Sequence, residues 1–146
     1  MTELLHIRRA CTTDADVIAL LLDQLGYPTE STDVPERLDR LAASSQATVL
    51  LAERGEKVVG LATMHIFSVL NRRQDVAWLT ALVVEESVRR SGVGRGLVRA
   101  VEELARRSGC ERLSVTTHED RADAHAFYVR IGLEQTGRRF GKRLSP

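Results

Sequence analysis

Residues 76–84, VAWLTALVV, are apolar at every position except Thr80, and a short polar turn leads from them into SGVGRGL. A strand with apolar side chains on both alternating faces must be covered on both sides. Helices that cross back over a sheet supply such cover, which constrains the chain to the α/β class. The helix that follows is amphipathic. Val93, Leu97, Val101 and Leu104 share one side, while Arg95, Arg99, Glu102, Glu103, Arg106 and Arg107 occupy much of the rest, and Gly109 ends it.

The remaining elements arrange themselves around this strand and helix. LLHIRRA reads as a strand with Leu5 and Ile7 on one face. A helix follows in which Thr12 or Thr13 can act as the cap, Asp14 and Asp16 favour the positive end, and Gly26 is the stop. Asp33 and Glu36 have capping-box spacing for a second, short helix, with Pro35 in its first turn and Leu38 and Leu41 on its apolar face. Strands at 48–52 and 58–67 are joined by ERGEK, whose Gly55 suits a hairpin turn. Beyond the glycine-opened helix, RLSVTT reads as a strand with Leu113, Val115 and Thr117 alternating. RADAHAFYVRIG presents Ala124, Phe127, Tyr128 and Ile131 at helical spacing, and LEQTGRRFGKRL suggests one or two closing strands around Gly137 or Gly141. The order β-α-α-β-β-β-α-β-α-β predicts a single α/β domain over residues 1–146, with a mixed sheet and no repeat or linker.

Composition narrows the function classes. The 146 residues are 43% hydrophobic and 28% charged, a size suited to one domain and a composition too apolar for wholesale disorder. The 21 basic residues face 20 acidic ones, so no global basic field recruits nucleic acid. Cys11 and Cys110 lie far apart and the four histidines lack zinc-ligand spacing, so neither a disulfide framework nor a metal site is expected. The longest apolar run, residues 17–22, is far short of the ~18 residues of a membrane span. The first ten residues lack the apolar region of a secretion signal, which predicts a cytoplasmic protein with no membrane partner.

The chemistry concentrates in residues 82–97, LVVEESVRRSGVGRGL. Gly92, Gly94 and Gly96 alternate at the mouth of the amphipathic helix. The first amides of any helix lack intrahelical acceptors, and the helix dipole is positive there. Glycines let a phosphate approach those amides, and Arg89, Arg90 and Arg95 add formal charge, so the segment is suited to a pyrophosphate. No G-K-[ST] follows at P-loop spacing. A dinucleotide fingerprint starting at Gly92 would need glycine where Leu97 stands.

Leu82-x-Val84, Arg89-x-x-Gly92-x-Gly94 and the following Leu97 resemble the acetyl-CoA-binding motif of the GNAT N-acetyltransferases. Ala124-x-x-Phe127-Tyr128 and then Gly132-Leu133 resemble that superfamily's second signature. The resemblance covers essentially the whole chain and is most specific between Trp78 and Leu133. It implies a mostly antiparallel central sheet that splays between its fourth and fifth strands, flanked by helices, with acetyl-CoA as co-substrate. Backbone groups at Leu82, Val83 and Val84 would bond the acetyl carbonyl and the pantetheine arm. The amides of Arg89, Arg90, Ser91, Gly92, Val93, Gly94 and Arg95 would hold the pyrophosphate. Tyr128 matches the tyrosine near the thioester sulfur; a phenol with a reference pKa of ~10 is protonated at neutral pH and can donate to a leaving thiolate.

Several positions depart from the family pattern. Trp78 and Thr80 stand where many members carry a strand glutamate, which leaves His65, Glu85, His118 or water as the proton relay. Arg121 replaces a common asparagine and either contacts CoA phosphate or lies on the helix surface. Leu133 replaces an aromatic. Asp23, Glu30, Asp33, Glu36 and Asp39 fall in the segment that borders the family's acceptor site, where they form either an acidic rim that steers a cationic amine or a solvated helix face. The expected reaction is direct attack of a small-molecule or peptide amine on acetyl-CoA in a ternary complex, with no nucleic-acid partner and a homodimer as one possible assembly. The alternative is a catalytically silent acyl-CoA sensor.

Overall fold

The computed structural model describes residues 4–117 and 121–146. Its elements are β1 (Leu5–Arg9), α1 (Ala15–Leu25), α2 (Val34–Ala42), β2 (Ala47–Arg54), β3 (Lys57–Phe67), β4 (Val76–Val84), α3 (Val93–Arg107), β5 (Arg112–Val115) and α4 (Ala122–Arg130). These fall into two compact units, one ending at Val115 and the other starting at Thr116. Among the described residues, no helix is long and apolar enough to cross a membrane.

In the first unit, five strands form one sheet in the order β1-β2-β3-β4-β5. The first three pairings are antiparallel. Gly55 at φ +66° turns the β2–β3 hairpin. The long return through α3 makes β5 parallel to β4, as a crossover connection requires.

The two faces of the sheet are read from neighbouring residues of β3. A Cβ at Gly60 would stand 2.9 Å from both Leu97 Cδ1 and Val93 Cγ1, so α3 lies directly on that face. Leu61 points the other way, into a cluster with Ile18, Ala19 and Leu21 of α1, Val34 of α2, Leu51 and Val83. By alternation, Thr63, His65 and Phe67 continue the α1/α2 face, but they are only partly buried or exposed. The helical cover on that face therefore stops short, while Ala62, Met64 and Ile66 stay buried on the α3 side.

Four expectations are corrected. Neither Thr12 nor Thr13 caps α1: both lie inside a 3-10 turn, Thr12–Asp14, and Asp14 takes the cap position. Asp33 takes the cap position of α2, but its side chain makes no capping hydrogen bond, so the capping box with Glu36 does not form. The fifth strand ends at Val115 rather than continuing through Thr117. Residues 133–146 form no strand, so the closing strands around Gly137 and Gly141 are absent. Arg138, Arg139, Lys142 and Arg143 crowd like charge there, and two glycines weaken strand preference.

Candidate functional site

The sheet opens at one defined place. β4 pairs with β5 only from Val76↔Arg112 to Leu79↔Val115. On its other side β4 bulges at the next residue: Met64 faces Leu79 and Thr63 faces Ala81, leaving Thr80 as the extra residue. A bulge sharpens local twist, and bulges gather beside active sites because they re-aim side chains. From Thr80 to Val84 the outer edge of β4 has no strand partner among the described residues. Diverging carboxyl ends of parallel strands are the usual ligand crevice of open α/β sheets.

Parity decides which backbone groups face this opening. The Glu85 N–H donates to Val59 O at 2.8 Å, so Val83, two residues earlier, also points its N–H and C=O at β3. Leu82 and Val84 therefore point theirs outward. The Val84 carbonyl accepts from Arg89 Nε at 3.0 Å, which leaves the Val84 N–H and both groups of Leu82 on the open edge. Val83 is bound to β3 by its backbone and buried in the core by its side chain.

The turn after β4 is braced from several directions. Glu85 caps it, accepting from Ser87 N at 3.0 Å and bonding Ser87 Oγ. These bonds hold the Glu85 carboxyl below its ordinary pKa, which makes it a weak base. Gln24 of α1 accepts from the Glu86 N–H at 3.2 Å. Ser91 donates to the Val88 carbonyl and is clamped by Arg54 of β2, whose guanidinium reaches Ser91 Oγ at 3.0 Å and Ser91 O at 3.3 Å. Arg54 escapes sequence reasoning because it lies 37 residues from its partner.

The mouth of α3 meets the requirements of an anion site. Arg90 has φ +65° and Gly92, the N-cap residue, φ +91°. Arg90 is the one non-glycine residue with positive φ among those described, a conformation that is costly for a side-chain-bearing residue and typical of functional turns. Nothing lies within 4 Å of where a Gly92 Cβ would stand, so the approach is open. The first intrahelical bond runs from Gly96 N to Gly92 O at 3.0 Å, leaving the amides of Val93, Gly94 and Arg95 without helical acceptors. Arg89, Arg90 and Arg95 are exposed around them. Gly96 belongs elsewhere: a Cβ there would meet Leu5 Cδ2 at 2.6 Å, so this third glycine seats α3 against β1.

In the second unit, Arg121 heads α4 and Tyr128 lies partly buried within it, its ring 5.4 Å edge-on from that of Phe127. Burial pushes the Tyr128 phenol up to about 12, against a smaller opposing effect of the Arg121 charge. His125 is exposed. His118 falls outside the described residues. His65 lies beside Trp78 across the β3–β4 ladder, and Trp78 packs its ring 5.8 Å from Phe67. The acidic residues Asp23, Glu30, Asp33, Glu36 and Asp39 are all exposed around α1 and α2, yet Arg37 and Arg40 share the short α2 helix with two of them.

A sheet parted at the ends of two parallel strands, beside a helix mouth with unpaired first-turn amides and exposed arginines, defines an α/β protein with an open ligand crevice. The chain matches the Acetyltransferase (GNAT) family over residues 13–133, and it belongs to that family. It is 32% identical over 142 residues to an aminoalkylphosphonate N-acetyltransferase of Salmonella typhimurium, covering 95% of this chain and 91% of that protein. It is 31% identical over 136 residues to an aminoglycoside N(6')-acetyltransferase type 1 of Stenotrophomonas maltophilia, covering 90% and 88%. Its fold matches that of an aminoglycoside N-acetyltransferase solved in complex with CoA, with a TM-score of 0.87, 20% identity, and coverage of 98% and 96%. The protein is an acetyl-CoA-dependent N-acetyltransferase. Family and relatives favour the enzyme over the silent sensor.

Proposed function

We propose that this enzyme transfers acetyl to a primary amine of a small molecule by direct attack within a ternary complex. The observation that carries the reading is the parting of β4 from β5 at Leu79, with the outward backbone of Leu82 and Val84 beside the amide-lined mouth of α3. The named relatives act on small amines, an aminoalkylphosphonate and an aminoglycoside, which supports an acceptor of that class.

Acetyl-CoA supplies an activated acyl group. The amides of Val93, Gly94 and Arg95, with the Arg89 and Arg90 side chains, would hold its pyrophosphate. The outward Leu82 and Val84 amides would take the pantetheine arm and stabilise charge that builds on the acetyl oxygen. Tyr128 Oη would donate to the departing sulfur. At a pKa of about 12 the phenol keeps its proton throughout the neutral and mildly alkaline range. Direct attack is supported at Cys110, where burial raises the thiol and so depletes its thiolate.

The test is thiol release from acetyl-CoA across a panel of amines, with calorimetric titration of acetyl-CoA. Tyr128→Phe is expected to lower kcat and leave acetyl-CoA affinity unchanged. Wild-type kcat should show no alkaline loss below about pH 10 that the Phe variant removes. An equal fall in turnover and affinity would assign Tyr128 to binding instead.

A further inference from the structure

We propose that the paired hydroxyls of Thr63 and Thr80 form an acceptor-only site that holds the N–H of the substrate amine at the opening of the sheet. This inference rests on the amine-acceptor reading above and deepens it.

The two side chains meet because of the bulge. Both Thr80 and Ala81 stand opposite Thr63, and Thr80 is exposed at the residue directly after the last β4–β5 pair. Thr80 Oγ1 donates to the Thr63 carbonyl at 3.2 Å, and the two hydroxyl oxygens are bonded to each other. A threonine hydroxyl has one proton and two lone pairs. When the Thr80 proton goes to the Thr63 carbonyl alone, the bond between the hydroxyls uses the Thr63 proton. Both protons are then consumed inside the pair. What it shows to a ligand is lone pairs, two on Thr63 Oγ1 and one on Thr80 Oγ1. Such a pair takes N–H donors and offers nothing to a carboxylate, a phosphate or a carbonyl oxygen.

The surroundings fit this role. The pair lies on the α1/α2 face of β3, past the point where Leu61 ends the helical cover, with His65, Trp78 and Phe67 continuing the same surface. No carboxylate occurs within β3 or β4. That absence has a chemical consequence. A carboxylate here would stabilise an ammonium and raise its pKa strongly, whereas neutral hydroxyl acceptors hold an N–H with a much smaller shift of that kind. The site therefore orients an amine while leaving it free to reach the uncharged form that attacks.

The experiment uses the full-length enzyme with aminomethylphosphonate, kanamycin and spermidine as acceptors. Thr80→Val preserves β-branching and removes the hydroxyl, so the KM of the accepted amine should rise about tenfold, the scale of one lost hydrogen bond to an amine. The acetyl-CoA Kd should not change, and Thr80→Ser should restore the KM. Thr63→Val, which also breaks the pair, should behave as Thr80→Val does, and circular dichroism of both variants checks folding. A Thr80→Val enzyme with wild-type amine KM overturns the inference alone. So does a loss that Thr80→Ser does not recover, or one matched by a fall in acetyl-CoA affinity. Failure of the wild-type enzyme to acetylate any of the three amines overturns the acceptor reading and this inference with it.

Discussion

Asp14 is nearly buried, and its carboxylate accepts from Arg8 Nη1 at 2.9 Å, Arg8 Nη2 at 2.8 Å and Cys11 N at 2.8 Å. Arg8 is also bonded through Nε to Glu53, so one guanidinium ties β1 to β2 and to the start of α1. The Arg8 hydrogen bonds hold the Asp14 carboxyl well below the usual carboxylate range. A depressed folded-state pKa contributes stability that is present above the unfolded value of about 3.9 and is lost only as pH falls towards the folded one. Asp14→Asn is therefore expected to cost about 2–3 kcal/mol at neutral pH, because it leaves a partly buried guanidinium short of its partner. Urea unfolding of both proteins checks this, and the gap between them should close only well below pH 4. In the sequence, Asp14 read as a dipole-favouring first-turn residue. Its partner could not be seen there, because nothing local says that a strand arginine six residues earlier will face it.

At the scale of elements, α3 is the part whose placement sets the proposed donor site, and two glycines seat it with different tolerance. A Cβ at Gly60 would be caught between Val93 Cγ1 and Leu97 Cδ1, both fully buried, with Val83 O at 3.4 Å behind it. Gly60→Ala is expected to cost about 1–3 kcal/mol as an overpacked core does. It should also weaken acetyl-CoA binding, because the displaced turn is the one that carries the anion-facing amides. Gly96→Ala meets only the flexible end of Leu5, and the roughly 1 kcal/mol of helix propensity gained offsets that movement, so its stability should stay near wild type. Urea melts and calorimetric titration of the two variants separate these outcomes. Gly96 was legible as part of a glycine mouth but misplaced by its spacing. Gly60 carried a usable signal, a lone glycine inside an apolar strand, which marks close backbone approach.

For the whole molecule, the proposed donor site, if preformed by the fold, makes acetyl-CoA a stabilising ligand. At a hundredfold excess over Kd, binding should add about 2.7 kcal/mol and raise Tm by roughly 5–11 °C for a chain of this size. Differential scanning calorimetry with and without acetyl-CoA checks this. An unchanged Tm at that excess would contradict a preformed site. Added salt should reduce the affinity, because exposed arginines surround the amides proposed to hold the phosphates. The amino-acid order by itself determined the nine main elements and the glycine-opened start of α3, because periodicity and glycine placement are local properties. The closing strands failed for the opposite reason: strand pairing is a non-local choice that the local pattern does not make. Only the tertiary structure decided where β4 leaves β5, that Val83 turns its backbone inward while Leu82 and Val84 face out, and that Thr63 meets Thr80. Each of those is set by register and contact between residues distant in the chain, so no reading of neighbours could supply it.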